Sequence, residues 1–94
     1  MEIKTVADLD EAIAHGKYTS VGSYPIFFIT DDGGVLSYDT VKEEYDQIAE
    51  SVRDQLNDGW NVTGVDINWE DTELYDDHTS ERIESAYGED EPED

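Results

Sequence analysis

Apolar residues first recur at helical spacing near the N-terminus, at Val6, Leu9, Ala12 and Ile13. Thr5 precedes them with a hydroxyl suited to capping, Asp8 sits in the first turn where a carboxylate favours the positive helix end, and Gly16 follows as a stop. The pattern predicts a helix over 6–15. The next apolar run, over 24–30, has a different period. Ile26 and Phe28 fall on one side of an extended chain, and Phe27 and Ile29 on the other. Both sides being apolar predicts a central strand covered on both faces, with Pro25 at its start where a missing N–H does least harm. Asp31-Asp32-Gly33-Gly34 is a turn sequence, and Val35-Leu36-Ser37 returns as a second strand.

Helical spacing resumes with Val41, Tyr45, Ile48, Ala49, Val52 and Leu56, which predicts one amphipathic helix over 40–56 with Asp39 or Ser37 as its cap. Asn57-Asp58-Gly59 ends it, and 60–69 reads as a third strand. Val65, Ile67 and Trp69 share one side of that strand, Trp60 and Val62 share the other, and Gly64 marks a bulge where the buried side changes. The order α-β-β-α-β predicts an α+β domain with a three-stranded, mostly antiparallel sheet. Residues 1–69 make the core domain. Residues 70–88 form an arm packing on or extending it, with 80–87 a short helix or an extended segment anchored by Ile83 and Tyr87. The run Glu89-Asp90-Glu91-Pro92-Glu93-Asp94 is expected to be a disordered acidic tail.

Charge changes this picture more than any motif does. The chain has 94 residues, with 26 Asp and Glu against 5 Lys and Arg, a net charge of −21. A field of that sign repels nucleic-acid phosphate and anionic membrane and attracts basic protein surfaces. No stretch is apolar enough to span a bilayer, and no secretory signal is visible, so a cytoplasmic location is expected, that of the host if a phage encodes the chain. Cysteine is absent, which removes disulfides and thiolate zinc sites.

The segment Asp66-Ile67-Asn68-Trp69-Glu70-Asp71, with Leu74-Tyr75 and His78-Thr79-Ser80-Glu81-Arg82-Ile83-Glu84-Ser85-Ala86-Tyr87-Gly88-Glu89, resembles a family of small uncharacterised proteins found on phages, plasmids and microbial genomes. The upstream block 24–33 fits the same family. Some members carry two Cys-x-x-Cys pairs in the manner of a zinc ribbon. The resemblance places those positions at Ser37 and Thr40, and at Asp76 and Thr79, none of them a thiol here. It implies a compact domain of mobile-element origin that holds two loops together by packing in place of zinc, and it implies no activity.

Candidate chemistry is sparse. Glu73, Asp76, Asp77 and His78 are the best cluster for a hard cation, but they lack the spacing of a calcium loop, and a solvated acidic loop accounts for them. His78 and Ser80 lie near carboxylates without a nucleophile-presenting motif, and Gly33-Gly34 is a hairpin turn with no phosphate-binding Lys after it. No enzymatic activity, metal or cofactor is expected. Glu43, Asp46, Glu50 and Asp54 recur on the polar side of the second helix, a carboxylate roughly every 4.5–6 Å of axis. Duplex DNA presents a phosphate about every 3.4 Å per strand, so such a row imitates part of a phosphate array. The expectation is an acidic interaction protein of phage or mobile-element origin. It would act as a nucleic-acid mimic against a host DNA- or RNA-binding defence protein, of anti-restriction or anti-CRISPR type. Glu43, Asp46, Glu50, Asp54, Asp76 and Asp77 would be its contacts. The alternative is a halophile-adapted accessory binding domain whose acidity serves solubility in high salt. Homodimerisation through an edge strand is a further option.

Overall fold

The computed structural model describes residues 2–19, 22, 24–71 and 73–86. Tyr87 and the tail at 89–94 lie outside the described residues. Helix α1 spans Val6–His15. Thr5 Oγ1 accepts from the Asp8 N–H at 3.2 Å, and the Asp8 carboxylate accepts from the N–H groups of Lys4 and Thr5 at 3.0 and 3.3 Å. This reciprocal capping box satisfies donors that the first helical turn leaves open. Gly16 ends the helix at φ 92°, a backbone that a side chain would strain.

Strands β1 (Ile26–Thr30) and β2 (Val35–Ser37) form the expected hairpin. In its turn Thr30 Oγ1 donates to Asp32, while the Gly34 N–H donates to both. Strand β3 (Val62–Ile67) completes an antiparallel sheet of order β2-β1-β3, with β1 central. Ile29 faces Gly64 but Thr30 faces Val62, so Thr63 is an extra residue in β3. The bulge shifts the side-chain alternation by one. Val62 therefore joins Val65 and Ile67 on a single side, the side of Ile26, Phe28 and Thr30, where the sequence alone gave two.

The predicted helix 40–56 is two helices, α2 (Tyr38–Glu43) and α3 (Tyr45–Asp54). It starts early because Ser37, and not Asp39, is the cap: Ser37 Oγ accepts from the Thr40 N–H at 3.2 Å. Glu44 departs from helical geometry at φ −99°, ψ 27°, while the bonds Glu44 N–H to Thr40 and Ile48 N–H to Glu44 keep the ladder running through the bend. Beside the bend Tyr45 Oη donates to the Asp10 carboxylate of α1, which raises the phenol pKa. Gln55 turns left-handed (φ 54°) and ends α3 before Leu56, which is 38% exposed and lies outside the stripe.

The helices cover one face of the sheet. Leu9, Ala12, Phe28, Leu36, Val41, Ile48, Val52 and Val62 are buried together between them. Full burial of each large side chain contributes about 1.5–3 kcal/mol. The arm links the two edges of the sheet. It leaves β3 at Asn68, reaches the outer edge of β2 at Asp76–Asp77, and returns to Asn68, where the Ala86 N–H donates to the Asn68 carbonyl at 2.8 Å. Arg82, Ile83 and Glu84 of the arm line a cleft with Pro25, Ile26, Ser37 and Tyr38, where β1 begins and β2 ends. The arm is a small hairpin, bridged between Tyr75 and Arg82, and no helix occurs in its described part. Ile83 is 4% exposed and stands outside the main cluster. Among the described residues no helix is long and apolar enough to cross a membrane.

Candidate functional site: two groups of carboxylates

The six acidic residues singled out by sequence fall into two physically different groups. Glu43, on α2, and Asp46, Glu50 and Asp54, on α3, are exposed. On α3 the four-residue intervals set neighbouring carboxylates about 6 Å apart along the axis. The bend at Glu44 removes Glu43 from strict continuation of that row. Asp54 is held by its neighbour, with Arg53 Nε and Nη2 donating to its two oxygens at 3.2 Å each. This pairing keeps the Asp54 carboxyl below its ordinary pKa. Glu43, Asp46 and Glu50 have no hydrogen bond or ion pair to another described side chain.

Asp76 and Asp77 do different work. Asp76 is 2% exposed. One of its oxygens accepts from the Ser37 N–H at 2.7 Å, and the other from the N–H groups of His78 and Thr79 at 2.6 and 2.9 Å. Burial pushes its carboxyl pKa up, but these bonds, with one from the Thr40 hydroxyl, bring it below the ordinary aspartate value. Asp76 is therefore corrected from a contact residue to a structural one, because no incoming surface can reach its oxygens. Asp77 accepts from the Val35 N–H at 3.0 Å and returns its own N–H to the Val35 carbonyl at 2.9 Å. Together the two aspartates cover the open edge of β2, where unpaired N–H groups would otherwise invite another strand. A Cβ on Gly34 would lie 2.2 Å from Asp77 Oδ2 and 2.9 Å from Thr30 Oγ1, so a larger residue there would displace these side-chain ends.

Ser37, Thr40, Asp76 and Thr79, the two spaced pairs noted in the sequence, converge at this edge. Ser37 Oγ donates to Thr40 Oγ1 at 3.2 Å, beside the bonds of Asp76 to Ser37, Thr40 and Thr79. Packing was expected to join the loops; a buried carboxylate joins them. Glu73, Asp76, Asp77 and His78, weighed as cation ligands and set aside in the sequence in favour of a solvated loop, point in different directions. Asp76 points inward, and the His78 ring lies edge-on to Trp60 at 5.0 Å, with Nε2 3.8 Å from a Glu44 oxygen. Among the described residues no group of three or more His, Asp or Glu is arranged to hold a metal ion.

Asn68 was not singled out by sequence. It is 2% exposed, and its Nδ2 donates to the carbonyls of Asp71 and Glu84 at 3.0 Å each, while its Oδ1 accepts from the Asp71 N–H at 3.1 Å. It clamps both ends of the arm. The available signal was an amide set between Ile67 and Trp69. Comparison of the chain with protein-family models, with curated proteins and with solved structures returns no match.

Proposed function

We propose that this chain is an acidic interaction protein that occupies the nucleic-acid-binding surface of a basic partner by presenting carboxylates where phosphates would lie. A host defence nuclease or CRISPR effector met by a mobile element is the partner class that suits this chemistry. The single observation that carries the reading is the set Glu43 at the end of α2 and Asp46 and Glu50 on α3, exposed and without a hydrogen bond or ion pair to another described side chain. Exposed like charges spaced four apart on a helix cost stability, and this chain keeps them while pairing many of its other carboxylates.

The test is displacement of labelled duplex DNA from such a nuclease at about 0.1 M salt, where charges roughly 10 Å apart still feel each other. The expected result is displacement that weakens steeply with added salt and is lost when Glu43, Asp46 and Glu50 are all changed to Lys. Undiminished displacement by that variant would overturn the reading.

A second reading, salt adaptation, is favoured by a different observation. Glu2, Glu11, Glu70, Glu73 and Glu81 are also exposed, and they lie outside α2 and α3. If acidity serves hydration in concentrated salt, the circular dichroism of the fold collapses below molar salt. Under the mimicry reading the fold persists in dilute buffer.

A further inference from the structure

Two Asp-Gly pairs occur in the chain, Asp32-Gly33 and Asp58-Gly59. In such a pair the glycine amide nitrogen can attack the aspartyl side-chain carbon Cγ, because no Cβ on the second residue stands in the way. A C–N bond forms, the carboxyl O–H and the amide N–H leave together as water, and a cyclic imide remains. A second water opens the ring. Cleavage between the nitrogen and Cγ restores aspartate. Cleavage between the nitrogen and the main-chain carbonyl leaves the chain running through the side chain, which is isoaspartate. Water is the only co-reactant.

The two pairs match in almost every respect. Both glycines have φ 83°. Both aspartates accept at Oδ1 from the N–H two residues on, Gly34 or Trp60, at 3.0 Å, which folds the carboxyl over the intervening peptide. Each also accepts from a hydroxyl, of Thr30 or of Ser51. These hydroxyls hold both carboxyls below their ordinary pKa, so the protonated form that loses water is scarce at neutrality and commoner in mild acid. The nucleophile is where they differ. The Gly33 N–H donates to the Thr30 carbonyl at 3.0 Å inside the β1–β2 hairpin. The Gly59 N–H has no hydrogen-bond partner among the described residues, and Asp58 beside it is exposed. An N–H committed to a carbonyl must be released before a base can take its proton, and a free one need not be.

We propose that Asp58-Gly59 is a site of spontaneous isoaspartate formation, and that the hairpin protects Asp32-Gly33 from the same reaction. The proposal goes beyond the mimicry reading and does not depend on it. Isomerisation inserts a main-chain methylene between α3 and β3 and moves the carboxylate that Ser51 and Trp60 share. Ser51 is wholly buried, so its hydroxyl loses its partner in the interior. The last turn of α3, which carries Asp54 of the acidic row, is then tied less firmly to the turn that leads into β3.

The test uses the wild-type chain, aged at physiological temperature and about pH 5, where carboxyl protonation rises. Isoaspartate is located by electron-transfer fragmentation of proteolytic peptides, which cleaves within the extra methylene linkage and marks its position. The expected result is accumulation at Asp58 about tenfold faster than at Asp32, the rate equivalent of one intact N–H bond. In denaturing urea the two positions are expected to react at matching rates. Equal rates in the folded chain, a faster reaction at Asp32, or no isoaspartate at Asp58 overturns the proposal. So does a preference for Asp58 that persists unchanged in urea, because it then comes from the flanking residues and not from the hydrogen bond.

Discussion

Helix α3 and the arm are equally acidic to the eye, yet their carboxylates face opposite ways. On α3, Asp46 and Glu50 stand in solvent, and only Asp54 is neutralised by a neighbour. In the arm, Asp76 and Asp77 turn onto the edge of β2 and replace the strand that would otherwise pair there. The same residue type serves as surface charge in one region and as a main-chain acceptor in the other. The difference follows from what lies within reach. A helix interior has already satisfied its own N–H groups, whereas a sheet edge and an arm turn have not. Net charge is therefore a poor guide to which acids are available to a partner.

The comparison can be broken most severely at Asp76. Changing Asp76→Ala orphans the N–H groups of Ser37, His78 and Thr79, and it should cost about 3 kcal/mol or more in urea denaturation, with loss of hydrogen-exchange protection across the arm. Asn68→Ala removes the clamp at the other end of the arm and should cost about 2 kcal/mol by the same measurement. Acid sharpens the contrast. The folded pKa of Asp76 lies below its ordinary value, so its stabilisation is complete above the unfolded value near 3.9 and fades as pH falls through the folded one. Arm amides should thus keep their protection at pH 5 and lose it below about pH 4, ahead of amides in the main core. The smallest expected effect is on the helix. Glu43→Gln/Asp46→Asn/Glu50→Gln should change stability by no more than about 0.5 kcal/mol, with any change a gain from relieved repulsion.

Much of the core was legible in the chain. Val6, Leu9 and Ala12 with Thr5 and Gly16 marked α1, and Gly64 flagged the bulge next to it, because these features depend on local backbone chemistry. The start of α2 was not legible, since Ser37 and Asp39 are both competent caps and only the returning strand selects Ser37. The bend at Glu44 carries no glycine or proline to announce it. The arm lacked both helical and strand periodicity, so its hairpin was invisible. The burial of Asp76 beside exposed Asp77 depends on where the β2 edge lies in space, and adjacent identical residues give no hint of it. Of the candidate site, the helix row was readable because it repeats at helical spacing, and the structural aspartates were not.

Side-chain carboxyl ¹³C shifts, followed while poly-arginine is added at low salt, test the division directly. The account predicts that Glu43, Asp46 and Glu50 move early and together while Asp76 stays fixed until the fold itself is lost. Movement of Asp76 in step with the helix row, or a uniform drift of every carboxyl in the chain, would contradict it.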